Sequence, residues 1–463
     1  MKKKEQRPPM YFTSLEIENV KCFGKKQKLN LCDESGAVSR WVLILGNNGT
    51  GKTSLLKSLC WMQPVEETDE KKKNEANISK VAIKPYMDDF ETEAEYENLI
   101  KVGSKEPARI GVTLSSGVAI KSVPKKEQLV SYAINIRTID GKLEEIKCEF
   151  GELHEFNAPN LFAYNASRHM TSKDSENEEL KSNMYNLFSE GGDLYDAEQL
   201  LTMLDNASIR QKKKGKASDL LKKVKAIAAD LLPDIKSGDD IIINSPINED
   251  GSINKVLVEI KTSGGKIKLG DLSLGYKTML AWTVDLAVHM LWNNRESDTP
   301  LEEPSVVIID EIDLHLHPQW QRIVRDTLTK HFPNTQFICT AHSPIMAQSA
   351  ENENLAVIKR VGSDVFIEND PDIVKGWRIG QILTSELFDI GSERAPEIEV
   401  FVNERRQLLD NKKITEADSL RLNELDSLLS DLPILDSENQ RLFNKMQKLA
   451  EIVEQKGGVG DSN

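Results

Sequence analysis

An α/β fold carrying a phosphate loop is what the sequence predicts, and three observations predict it. Short apolar runs of strand type alternate with amphipathic helical stretches, the pattern of a sheet with parallel strands and crossover helices. One run, Trp41–Leu45, stops at Gly46-Asn-Asn-Gly-Thr-Gly-Lys-Thr53, a GxxxxGK[ST] pattern that opens a helix. Another, Val306–Ile309, ends in adjacent carboxylates, Asp310 and Glu311, at the strand end where α/β sheets gather ligands.

The chain has 463 residues, room for about two or three domains whose cores need neither disulfides nor metals. Its 60 Lys and Arg against 74 Asp and Glu leave a net charge of -14, which excludes a histone-like coat for DNA. A local basic groove stays compatible with that total. Cys22, Cys32, Cys60, Cys148 and Cys339 are odd in number and form no CxxC pair. Neither a disulfide framework nor a zinc cluster is expected, and a cytoplasmic location is. The basic start leads into no apolar h-region and no window reaches the length of a membrane span, so no secretion and no membrane partner are expected.

In chain order, residues 11–30 alternate apolar and polar around Gly24-Lys-Lys26, a hairpin pattern. The strand at Trp41–Leu45 and a helix over Thr53–Met62 follow. Residues 66–98 turn polar and charged and read as an irregular insertion. Strand patterns over 109–150 and at Leu161–Tyr164 make a β-rich lobe, and 172–232 read as an α-helical insertion. Then come strands at 240–244 and 255–261, a helix over Leu274–Asn293, the strand Val306–Ile309, a helix over Pro318–Lys330 and a strand over Gln336–Thr340. The charged tail, 395–455, reads as helical with a break at Pro433. The expected domains are 1–170 and 236–392 as two halves of one head, 171–235 as a helical insertion, and 393–463 as a helical extension for docking or oligomerisation.

The chemistry follows from residue types. In a loop such as Gly46, Asn47, Asn48, Gly49, Thr50, Gly51, Lys52, Thr53, Ser54, glycines let backbone N–H groups converge on phosphate oxygens at a helix N-terminus. Lys52 brings a cation to the β- and γ-phosphates of ATP, and Thr53 a hydroxyl to Mg²⁺. Asp310 would orient Mg²⁺, and Glu311 would take the proton of the attacking water. His315 and His317 lack visible third and fourth metal ligands, so packing where the Pro318 helix begins is the expectation.

Through these motifs the chain resembles the ABC-type ATPase heads of the SMC and RecF kind. Leu272-Ser-Leu-Gly-Tyr-Lys277 looks like their signature, although SLGYK replaces SGGQ; it keeps Ser273 and Gly275. Thr340-Ala-His342-Ser looks like the switch histidine, and Glu311-Ile-Asp313 like the start of the D-loop. The resemblance implies that two heads sandwich two ATP molecules. Ser273 and Gly275 would then face the partner's nucleotide, Asp313 would belong to the binding set, and His342 would sense the γ-phosphate or hold the water. No clear Q-loop glutamine is present; Asn165, in Tyr164-Asn-Ala-Ser-Arg168, sits where one would be. Arg168 is open between a contact to phosphate or a carboxylate and an ordinary surface arginine. Without the family, Ser273 is a helix N-cap and His342 a packed histidine at a strand end.

Asp310-Glu-Ile-Asp-Leu-His-Leu-His-Pro-Gln-Trp-Gln321 and Gly376-Trp-Arg-Ile-Gly-Gln-Ile-Leu-Thr-Ser-Glu-Leu-Phe388 narrow the likeness to the PtuA-type ATPases of Septu and retron anti-phage systems. That resemblance implies a homodimer or larger homo-oligomer that scaffolds and brakes a separate HNH nuclease of the PtuB kind. A retron reverse transcriptase with its msDNA is a further implied partner. A nuclease domain within the chain is not expected, because 121 residues follow His342 without paired acidic motifs, and Asp370-Pro-Asp372 reads as a turn. A DNA-repair or DNA-binding ATPase of RecF or SMC kind is the alternative, with the basic Gln211–Lys216 loop as its local support. A transporter subunit fits less well, because 221 positions separate Lys52 from Ser273.

Overall fold

A computed structural model of the chain describes residues 9–66, 81–85, 98–139, 142–153, 158–170, 183–188, 193–194, 196–211, 215–232, 235–245, 258–350, 355–369, 377–385, 394–410 and 415–429, with isolated positions 247, 250, 252, 388 and 392. Several expectations lie wholly or partly outside these residues: most of the polar stretch 66–98, positions 212–214 of the basic loop, Asp370–Asp372, the start of the Gly376 motif, and the tail around Pro433. The chain divides into two compact units, Met1–Asp389 and Ile390–Asn463.

The first unit is built on a six-stranded sheet in the order Asn160–Tyr164, Ser305–Ile309, Thr335–Ala341, Trp41–Gly46, Leu355–Val361, Asp364–Asn369. Every pairing is parallel except the last, a hairpin between Leu355–Val361 and Asp364–Asn369. The parallel strands are apolar throughout because both faces are covered. Alternation sorts their side chains: Trp41, Leu43, Leu45, Phe162, Tyr164, Val307 and Ile309 enter one core. Val42, Ile44, Leu161, Ala163, Val306 and Ile308 enter the other. Each such buried aliphatic contributes about 1.5–3 kcal/mol.

One face packs the helices Ala197–Arg210, Lys216–Leu231, Leu274–Asn293 and Pro318–His331. The Leu274–Asn293 helix is buried around most of its circumference, consistent with its nearly unbroken apolar sequence. The opposite face packs the helix Lys52–Trp61 and a five-stranded antiparallel sheet in the order Gln27–Asn30, Met10–Glu18, Ala108–Ser116, Leu129–Ile139, Lys142–Glu149. Buried Gln336 joins the two sheets: its Nε2 donates to Phe12 O at 2.8 Å and its Oε1 accepts from Phe12 N at 3.0 Å. The expected hairpin, β-rich lobe, insertion helices and alternating strands and helices are therefore present in an α/β frame. The strands Gly265–Lys268, Leu355–Val361 and Asp364–Asn369 and the short helix Pro344–Ser349 were not among the sequence expectations.

Among the described residues, the second unit holds two helices, Pro396–Asp410 and Glu416–Leu429. Arg421 pairs with both Glu404 oxygens at 2.8 and 2.9 Å, and Arg405 pairs with Asp426. None of the five cysteines is in a disulfide, and no helix among the described residues is long and apolar enough to cross a membrane.

Candidate functional site

The site lies at the C-terminal ends of three adjacent parallel strands, Ser305–Ile309, Thr335–Ala341 and Trp41–Gly46. The chain leaves Trp41–Gly46 through Asn47–Thr50 and enters the helix Lys52–Trp61 at Gly51. Gly51 has φ +97, and a β-carbon there would overlap Cys22 Sγ and press on Phe23. Only glycine combines that conformation with that packing. Among the described residues, no hydrogen bond takes up the amides of Gly51, Lys52, Thr53 or Ser54. These donors at a helix N-terminus form a ready nest for an anion. Thr50 closes the loop by donating its hydroxyl to Asn47 O at 2.8 Å, and Arg360 clamps it by donating to Gly49 O at 2.7 Å. Asn47, Asn48 and Gly49 are exposed.

Lys52 is 6% exposed, and its ammonium donates to Gly46 O at 2.8 Å and Asn47 O at 3.1 Å. Burial lowers its pKa, and the fields of Asp310, Glu311 and Asp313 counter only part of that. A cation in this state is stabilised by any phosphate that approaches. Thr53 donates its hydroxyl to Asp310 Oδ2 at 2.6 Å across 257 positions of sequence, joining the loop to the carboxylate strand.

Asp310 is 4% exposed, and its other oxygen accepts from the Thr340 hydroxyl. That same hydroxyl accepts from the Glu311 amide at 2.7 Å. Glu311 has φ +48, a left-handed conformation uncommon for a residue with a β-carbon. Its carboxylate Oε1 stands 3.7 Å from His342 Nε2, each side chain 31% exposed. The His342 pKa is lowered, first by burial and then by Lys52, against the opposing pull of Glu311, Asp313 and Asp310. Its ring is therefore neutral near pH 7, and Nε2 has no hydrogen-bond partner among the described residues. Asp313 accepts from the His342 amide at 3.0 Å through Oδ2, while Oδ1 is buried without a partner among the described residues.

Asn165 Oδ1 accepts from Arg168 N at 3.0 Å, and the Asn165 amide donates to Asn186 Oδ1 at 2.8 Å. Arg168 is no surface arginine. It is 1% exposed and donates to the carbonyls of Asp310 and Glu311. Ser273 stands at the N-cap of Leu274–Asn293 without a side-chain cap bond, and Gly275 abuts the His315 carbonyl so closely that a β-carbon would overlap it. No hydrogen bond among the described residues joins Ser273 or Gly275 to the loop. His317 caps the Pro318–His331 helix, its Nδ1 accepting from Gln319 N at 3.3 Å. Within one chain the structure thus gathers Lys52, Thr53, Asp310, Glu311, Asp313 and His342. It adds Thr340, to which the motif gave no task, and Arg168, which the sequence left open and which bonds two backbone carbonyls rather than phosphate or a carboxylate side chain.

Residues 42–346 match the family described as "AAA domain, putative AbiEii toxin, Type IV TA system". The "Septu protein PtuA" of Bacillus mycoides (strain KBAB4) is 24% identical over 434 residues, covering 91% of this chain and 50% of that protein. The "Retron Vc95 probable ATPase" of Vibrio cholerae serotype O1 biovar El Tor is 38% identical over 99 residues, covering 21% of this chain and 19% of that protein. The chain thus spans half or less of these curated relatives. The SMC head domain from Thermotoga maritima aligns over 77% of this chain and 98% of its own, at 13% identity and a TM-score of 0.40.

Proposed function

The chain belongs to the AAA-domain family that residues 42–346 match, and from that premise we propose that it is an ATP-binding and ATP-hydrolysing head of a Septu- or retron-type anti-phage system. The observation that carries this is the 2.6 Å bond from Thr53 to Asp310 beside the buried Lys52. It sets a hydroxyl, a carboxylate and a cation together at the mouth of an amide nest, which is the equipment for a nucleoside triphosphate.

Lys52 would draw the β- and γ-phosphates of ATP into the loop formed by Gly46–Ser54. Thr53 and Asp310 offer the hard oxygen donors that Mg²⁺ accepts alongside phosphate and water. When bound, that ion would neutralise negative charge on the phosphates. Glu311 would accept a proton from water as its oxygen bonds to the γ-phosphorus; the bond to the bridging oxygen breaks and ADP leaves with the electron pair. His342, neutral and without a hydrogen-bond partner at Nε2 among the described residues, would hydrogen-bond the γ-phosphate or that water. Asn165 and Asp313 are assigned to the rim of the same site.

The exposed, uncapped Ser273 and the adjacent Gly275 are assigned to the nucleotide of a second copy, so that two heads close on two ATP molecules. The resemblance of the Asp310–Gln321 stretch to PtuA-type ATPases implies a separate HNH nuclease as the effector, with this chain as scaffold and nucleotide-gated brake. Affinity capture from the native host, with and without ATP, tests that partnership by mass spectrometry. A small HNH protein retained at fixed stoichiometry is the expected result, and recovery of repair proteins and DNA alone would favour a RecF-like ATPase.

A further inference from the structure

Arg168 lies among the largest fully buried side chains of the chain. A cation at that depth is costly unless it is paired. Its partners are neither phosphate nor a carboxylate side chain: Nη1 donates to Asp310 O at 3.1 Å and Nη2 to Glu311 O at 2.8 Å. Two prongs of one planar fork therefore grip two successive carbonyls; a lysine ammonium, a point charge on a flexible stem, would not hold them in that fixed plane.

The same turn is held from its amide side. Asp310 N donates to Tyr164 O at 2.9 Å, Glu311 N to the Thr340 hydroxyl at 2.7 Å, and Ile312 N to Thr340 O at 2.9 Å. Arg168 completes the set and is itself anchored, its amide bonded to Asn165 Oδ1 and the Asn165 amide to Asn186 Oδ1 at 2.8 Å. A left-handed glutamate persists only where its surroundings over-determine it, and here they do. Burial pulls the Arg168 pKa down to about 10 despite the neighbouring carboxylates, which leaves it cationic at neutral pH.

We propose that Arg168 is a positioning residue: its guanidinium fixes the Asp310–Glu311 turn so that the Glu311 carboxylate faces the water attacking ATP. The role rests on the assignment of Glu311 as the base. It assigns the Tyr164–Arg168 segment to the geometry of hydrolysis rather than to nucleotide affinity.

The test compares Arg168→Lys, Arg168→Ala, Glu311→Gln and the Arg168→Lys/Glu311→Gln double variant in ATP turnover and in ATP affinity. Arg168→Lys should lower kcat about 100-fold, the scale of an ångström-level misplacement, while ATP affinity stays within about threefold. In the Glu311→Gln background the same substitution should cost less than about threefold, because it acts through the residue already removed. Arg168→Lys at the wild-type rate, affinity falling in step with kcat, or full additivity in the double variant would each overturn the role while leaving Glu311 as the base. Glu311→Gln turning over like wild type would overturn the base and the positioning role together.

Discussion

Lys52 carries the balance of forces at the residue scale. It is buried, so its charged form is disfavoured, yet it faces loop carbonyls and three carboxylates that keep it in place. Lys52→Ala should weaken ATP binding about 100-fold, the upper end for a hydrogen bond to a charged group. The melting temperature of the nucleotide-free protein should fall as well, since Gly46 O and Asn47 O lose their donor and the three carboxylates lose their cation. Calorimetric titration with ATP checks the first, and unchanged affinity would contradict it. The loop and Asp310–Glu311 were legible in the sequence because contiguous motifs place them. Arg168 and Thr340 were not, because they serve the backbone of residues 142 and 29 positions away. Thr340 lay inside the switch motif without an assigned task, and for Arg168 the sequence left a contact to phosphate or a carboxylate and an ordinary surface position equally open.

At the scale of elements, the helix that begins at Ser273 is tied to the strand that ends at Tyr164. Tyr164 donates its hydroxyl to Asp285 at 2.9 Å, and His289 stands 3.2 Å from the same carboxylate, in a core that buries all three. Burial disfavours the His289 imidazolium, but the Asp285 charge and hydrogen bonds outweigh it and raise the pKa. A folded-state pKa above the unfolded one gives stability that is full below the unfolded value near 6.5 and is lost as pH rises through the folded value. The wild-type melting temperature should therefore drop more than that of His289→Gln between about pH 6 and pH 9. Equal drops would contradict the pairing. Helices and central strands were readable from periodicity, whereas Leu355–Val361 was not predicted: a short apolar run followed by exposed Arg360 and Val361 is ambiguous until Trp41–Gly46 pairs with it.

For the whole molecule, one chain supplies the loop, the acidic strand end and His342, while Ser273 is exposed and bonds none of them among the described residues. A nucleotide site shared between copies, as proposed, would explain that division and would make activity a property of a pair. Glu311→Gln should accumulate as an ATP-bound dimer in light scattering, since closure persists when hydrolysis stops; a monomer with ATP bound would contradict shared sites. Sequence could supply the motifs of such a site but not their packing, such as that of Gly275 against the His315 carbonyl. The most direct measurement mixes two inactive variants, Lys52→Ala and Ser273→Arg, and follows ATP turnover. Mixed pairs pair an intact loop with an intact signature, so the mixture should recover about a quarter of wild-type turnover. A mixture no faster than the average of its two components would contradict the shared site.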